Sequence, residues 1–144
     1  MLPYKISIME KYRKIIFSAT LAIGLSAFIV PFTTFAQKTG ITRTNHQRHD
    51  ISVPGYETIQ ASIAFEPGVQ FGMHSHPGEE VIYVLKGTFE YQIEGEKPVR
   101  LKAGDVLFIP AGKNHQAKNV GKNKAVELAT YIVEKGKTLV VMKP

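Results

Sequence analysis

The sequence predicts an all-β domain, either a sandwich or a closed barrel. Three observations carry that expectation. From residue 58 onward, short runs rich in β-branched and aromatic residues follow one another, several with apolar and polar residues alternating at period two. Turns containing Gly or Pro separate them at roughly the eight- to twelve-residue spacing usual for such folds. No long segment after residue 36 carries the helical 3.6 period.

The elements follow in order. "TIQASIAF" (58–65) puts Ile59, Ala61, Ile63 and Phe65 on one face, and "EPG" (66–68) turns the chain. "VQFGMHSH" (69–76) is the next strand, ended by Pro77-Gly78. "EVIYVLKG" (80–87) is β-branched and aromatic, and "TFEYQIEG" (88–95) alternates Phe89, Tyr91 and Ile93. After the turn "EKP" come "VRLKAGD", "VLFIPAG" and "NHQAKNVG". "AVELATYIV" (125–133) and "KTLVVMK" (137–143) close the chain. Residues 37–50, "QKTGITRTNHQRHD", are polar and aperiodic and read as a flexible lead-in or an edge segment, which leaves residues 51–144 as one domain.

The first 36 residues read differently. Lys11, Arg13 and Lys14 precede the apolar run "IIFSATLAIGLSAFIV" (15–30), and Thr34 and Ala36 provide small residues at −3 and −1 of a cleavage site after Ala36. Basic, apolar and small-residue regions in that order make a secretory signal peptide. A start at Met9 rather than Met1 gives its basic region a more ordinary length. An uncleaved anchor is the alternative, weakened by Pro31, Thr33 and Thr34. The expected location is therefore periplasmic or secreted, with no stable membrane association after cleavage. Setting the leader aside lowers the formal net charge from +6 to +3, with 14 basic residues against 11 acidic ones. The remaining lysines are scattered, which argues against nucleic acid as a partner. There is no cysteine, so neither a disulfide nor a thiolate metal site is available.

The chemistry concentrates in "GVQFGMHSHPGEEVIYVLKG" (68–87). His74 and His76 lie two apart on a strand and share a face. Imidazole is the commonest protein metal ligand. Past the Pro77-Gly78 turn, Glu80 opens the next strand and can return a carboxylate to the two imidazoles, whereas Glu79 has the opposite parity. A further ligand must come from elsewhere, and His46, His49 and His115 are the remaining histidines. His46 and His49 lie in the polar lead-in. His115 follows the tight turn "IPAGKNH".

Here the sequence resembles the cupin superfamily. Gly68, His74, His76, Glu80 and Gly87 match the spacing of its first motif, and Gly104, Pro110, Gly112, His115 and Asn119 match the second, with every position filled. The resemblance implies a single double-stranded β-helix, a jelly-roll barrel of six to eight strands, with a metal held by His74, His76, Glu80 and His115. Three nitrogens and one carboxylate suit a divalent transition metal, Fe, Mn, Ni, Cu or Zn, rather than Ca or Mg. The motif glycines Gly68, Gly87, Gly104 and Gly112 sit at turns where positive φ favours glycine. Phe71, Met73, Tyr83, Phe89, Tyr91, Phe108 and Tyr131 lie on strands, and half of them should face inward. Gln60, Ser62 and Gln116 are the polar candidates near the metal, and Asn119 is expected to shape a turn.

The resemblance extends to quercetin dioxygenase-like proteins and implies a metal-dependent dioxygenase-type enzyme on a small organic substrate, with Glu80 as ligand and candidate proton acceptor. Two other readings stand beside it. One is an isomerase or lyase using the metal as a Lewis acid. The other is a non-enzymatic protein that binds a small molecule or the metal. A homodimer is expected to pair through "KTLVVMK" or "DISVPGYETIQ", which would cover an exposed sheet edge.

Overall fold

The computed structural model describes residues 40–144, so the expected leader, residues 1–36, lies outside the described residues. Ten strands follow in chain order: β1 Ile41–Asp50, β2 Tyr56–Phe65, β3 Gln70–Ser75, β4 Glu79–Lys86, β5 Thr88–Ile93, β6 Val99–Lys102, β7 Val106–Ile109, β8 His115–Asn119, β9 Ala125–Glu134 and β10 Val141–Met142. They form two five-stranded antiparallel sheets, ordered β1-β2-β9-β4-β7 and β10-β3-β8-β5-β6. From β2 onward the chain changes sheet every one or two strands. That winding is the double-stranded β-helix that the motif resemblance implies, with ten strands rather than six to eight.

Alternation sets the core. On β4 the inward positions are Glu80, Ile82 and Val84, all buried. On β5 they are Phe89, Tyr91 and Ile93, as the sequence pattern requires. On β9 every second residue from Ala125 to Val133 is buried. Phe65 meets Phe89 edge-to-face, with ring centroids 5.2 Å apart, an arrangement the ring quadrupoles favour. The remaining aromatics divide as expected: Tyr131 is buried, whereas Tyr83 and Phe108 point outward.

Four motif glycines, Gly68, Gly87, Gly104 and Gly112, do adopt positive φ. Gly87 is the most constrained of them. At φ 81° a Cβ there would also lie 2.7 Å from the Ala125 Cα. Gly78 has a different role. A Cβ on it would lie 2.0 Å from the Ile132 carbonyl oxygen, so only glycine lets the β3–β4 turn press against β9.

Of the two readings of the polar segment, the structure has the edge segment and corrects the flexible lead-in: residues 41–50 are the edge strand β1, paired along its length with β2 apart from a bulge between Asn45 and Gln47. An edge strand that is mostly solvent-exposed needs no apolar alternation, which is why its polar sequence left both readings open. Within "DISVPGYETIQ", Tyr56–Gln60 offer no free sheet edge, because β2 is paired on both sides, to β1 and to β9.

Candidate metal centre

The candidate ligands come from two neighbouring strands of one sheet and the first residues of a strand in the other. His74 lies near the end of β3 and pairs directly with His115, which opens β8. His76 follows β3, and Glu80 is the second residue of β4, across from Tyr131 on β9. All four side chains are buried. Glu79, one residue away, is only half-buried, and Glu80 is the glutamate that faces the imidazoles, as strand parity predicts. A bulge in the β3–β8 pairing, between Phe71 and His74, adds one residue to β3. It lets Phe71 and His74, three apart, line the same cavity.

The three imidazoles are held by backbone carbonyls. Nδ1 of His74 donates to Gly72 O (2.8 Å), that of His76 to Leu139 O (2.6 Å) and that of His115 to Lys113 O (2.9 Å). A proton on Nδ1 leaves Nε2 as the lone-pair nitrogen, the tautomer a metal requires. The ligand atoms of the three histidines lie within 4.8 Å of one another. The Glu80 Oε2 is 3.3 Å from His76 Nε2 and 3.1 Å from His115 Nε2. Both His76 Nε2 and Glu80 Oε2 are buried without a satisfied hydrogen bond. Four acceptor atoms converging with no proton among them are costly unless a cation sits between them. The residues present therefore fit a metal ion.

The electrostatics agree. Burial, then the nearby His115, lowers His74 to about 4, so it is neutral at pH 7. Burial pushes the Glu80 carboxyl up, but its contacts with His115 and His76 pull it further the other way, well below the usual carboxylate range. Glu80 is thus held on the ionised side, with its Oε2 facing two imidazole nitrogens.

A cavity of about 590 Å³ opens beside the cluster, within the range of small-molecule sites. His74, His76, Glu80 and Tyr131 form one wall, and Phe65, Phe71 and Ile63 continue it as apolar surface. Leu139, Val140 and Met142, from the segment around β10, also line it. The Tyr131 ring lies 4.8 Å from that of His76.

The cavity also holds two residues the sequence reading did not single out. Glu127 is buried inside it and accepts a hydrogen bond from the equally buried Tyr91 hydroxyl. Burial, then the charge of Glu80, pushes Glu127 up to about 8 against the pull of the Tyr91 hydrogen bond, so it is mostly protonated at pH 7. The inward register of "AVELATYIV" placed this acid inside the barrel, and that parity was the signal available in the sequence. Arg43 is the second, on β1. The polar candidates fare otherwise. Gln60 bonds Gln47 and Thr130, and Gln116 bonds Gln70; neither of them nor Ser62 lines the cavity. Asn119 does shape a turn: its amide donates to Phe65 O and Asn123 O and accepts from Gly121 N. His46 and His49 are exposed on β1, away from the cluster.

Comparison with known proteins follows the same lines. A family model described as a cupin domain matches residues 61–133. The chain is 38% identical over 74 residues to an oxalate-binding protein of Thermotoga maritima, covering 51% of this chain and 60% of that protein. It is 37% identical over 60 residues to the dimethylsulfoniopropionate lyase DddQ of Ruegeria pomeroyi, covering 41% of this chain and 30% of the lyase. The crystal structure of that lyase superposes with a TM-score of 0.54 at 28% identity, covering 60% of this chain and 43% of the lyase. A double-stranded β-helix protein of Klebsiella pneumoniae superposes with a TM-score of 0.61 at 20% identity over 74% of this chain and 88% of that one, a likeness of fold. The chain thus spans 60% or less of the length of these two curated relatives. With a family model covering half the chain and both ligand-bearing motifs inside it, this protein belongs to the cupin superfamily.

Proposed function

We propose that this protein is an exported, metal-dependent enzyme acting on a small organic substrate, its divalent transition metal held by His74, His76, Glu80 and His115. The observation that carries the reading is the trio of backbone-anchored imidazoles aimed at an ionised carboxylate on the wall of an apolar cavity. A bound metal supplies a Lewis acid there and, for a redox-active ion, an electron source. The chain's own residues divide the remaining work. Phe65, Phe71 and Leu139 exclude water from the bound substrate. Glu80, held ionised, suits a ligand better than a proton acceptor. Glu127, neutral at pH 7 and hydrogen-bonded to Tyr91, suits a proton donor facing the cavity.

That donor favours the Lewis-acid reading, a lyase or isomerase, over the oxygenase. Lewis-acid cleavage or isomerisation moves a proton off one substrate atom and onto another, and Glu127, which can give its proton to the second atom and in its ionised form take one from the first, suits both halves. Similarity to a dimethylsulfoniopropionate lyase supports the same class. The dioxygenase remains the second reading, because a redox-active ion held by these residues beside an apolar cavity would also suit dioxygen.

The test is elemental analysis of the protein recovered from the exported fraction, beside a His115→Ala variant. Stoichiometric metal in the former and its loss in the latter is expected. No metal retained by either overturns the reading. Oxygen uptake with flavonols or enediols by the iron-, manganese- or nickel-loaded protein would assign the oxygenase. Turnover unchanged on removing oxygen would assign the lyase or isomerase. N-terminal sequencing of the same sample, expected to begin at Gln37, tests export and cleavage.

A further inference from the structure

The described residues contain three arginines, and two are paired. Arg48 forms a two-point ion pair with the buried Glu57, Nε to Oε2 at 2.5 Å and Nη2 to Oε1 at 2.6 Å, and Arg100 pairs with Glu90 at 3.0 Å. Arg43 has no carboxylate partner among the described residues. It is half-buried, and it is the arginine whose side chain lines the cavity. Its Nε donates to Asn45 Oδ1 at 2.9 Å, and one terminal nitrogen reaches the Tyr131 hydroxyl at 3.5 Å. The guanidinium carbon lies over the Tyr131 ring, 5.3 Å from its centroid. The other face of the story is Tyr131 itself, whose ring lies 4.8 Å from that of His76. One tyrosine ring therefore separates a fixed guanidinium from the imidazole cluster.

A cation–π contact with the Tyr131 ring and a bond from Nε position the guanidinium, and its unused donors remain available. A planar guanidinium held this way matches a carboxylate with two parallel hydrogen bonds, which an ammonium cannot reproduce. The cavity lining points the same way. Arg43 is the only lysine or arginine among the described residues that line it, so it is the pole that an anionic group would meet there. Between that pole and the imidazole cluster the wall is apolar, with Ile63, Phe65 and Phe71.

We propose that Arg43 is a specificity-determining anchor for a substrate carboxylate, so that the cavity takes a small organic acid with its carboxylate on Arg43, a hydrocarbon body across Tyr131 and a second oxygen function at the imidazole cluster. The second contact rests on the metal-dependent reading above, and the first does not. The residue belongs to β1, outside the two motifs, so it would set the substrate class for this chain and not for the barrel at large.

Calorimetric titration tests it. The probes are malonate, succinate, glutarate and adipate, each against the diamide of equal length, added to the metal-loaded full-length protein. Wild type is expected to prefer one chain length of acid over its diamide. Arg43→Gln should weaken that acid by on the order of 10- to 100-fold and leave the diamide unchanged. Arg43→Lys, which keeps the charge but not the fork, should recover part of the loss. Thermal melts confirm that both variants fold. Equal affinity of wild type and Arg43→Gln for every acid, or no preference of wild type for acid over diamide, overturns the proposal. Metal content measured on the same samples separates the two readings. A protein without metal whose acid binding still depends on Arg43 keeps the anchor and removes the metal reading.

Discussion

The two ends of the barrel interior are built from the same strands and do opposite things. On β4, Ile82 and Val84 face a sealed apolar end, and Glu80, two residues earlier, faces the imidazoles. On β9, Ala125 packs into the sealed end, and Glu127 and Tyr131 line the cavity. The sealed end contains little besides hydrocarbon and rings, Ile82, Phe89, Val84 and Leu101 among them. The open end buries a carboxylate, a carboxylic acid and three imidazoles. The lesson is that one inward register supplies both. Stability comes from the end where every neighbour is apolar, and the other end is tolerated because it is anchored there.

The widest test of that division is Phe89→Ala. The ring is fully buried against Phe65, and its loss should destabilise the fold by about 3–5 kcal/mol in denaturant titration. His115→Ala, equally buried, should cost the metal-free protein distinctly less. Comparable losses for the two would erase the distinction between the ends.

Glu127 sharpens it with pH. Its carboxyl has an ordinary value of 4.5 and is pushed up to about 8 in the fold. Between those values the unfolded chain releases a proton that the folded chain keeps, so rising pH favours unfolding. The stabilising contribution is whole below 4.5 and is lost progressively as pH rises through 8. Metal-free Glu127→Gln should therefore melt close to wild type near pH 4 and several degrees above it near pH 8. Parallel melting curves for the two proteins across that range would show that the acid is not held neutral. The smallest effect belongs to the outer surface. Lys135 and Asp50 pair at 2.8 Å with both side chains exposed, and Lys135→Ala should change stability by no more than about 0.5 kcal/mol.

What the sequence made legible follows from these differences. Strands with one wet and one dry face, such as β5, advertise themselves by alternation, and the four candidate ligands fell at fixed motif spacings. β1 was legible only as one of two alternatives, because an edge strand exposed on most of its length has no dry face to pattern, and nothing in the pattern singled out Arg43 on it. Glu127 stood in plain register within "AVELATYIV", but an acid among apolar residues is ambiguous until the strand's partners are known. The bulge that turns both Phe71 and His74 inward is a property of the pairing with β8, not of β3. The Leu139 carbonyl that orients His76 is a backbone atom, for which side-chain patterns hold no signal.

That carbonyl makes the segment around β10 more than a cover. Val141 and Met142 are exposed, and the segment is fastened by few bonds, among them Lys143 N to Met73 O at 2.9 Å and the Lys143–Glu94 ion pair. Whatever steadies the His76 ring also steadies this strap, and by thermodynamic reciprocity the strap lends the same free energy to whatever His76 holds. Amide exchange at Lys143 would then serve as a gauge of the centre read from outside it, slowing as the site fills.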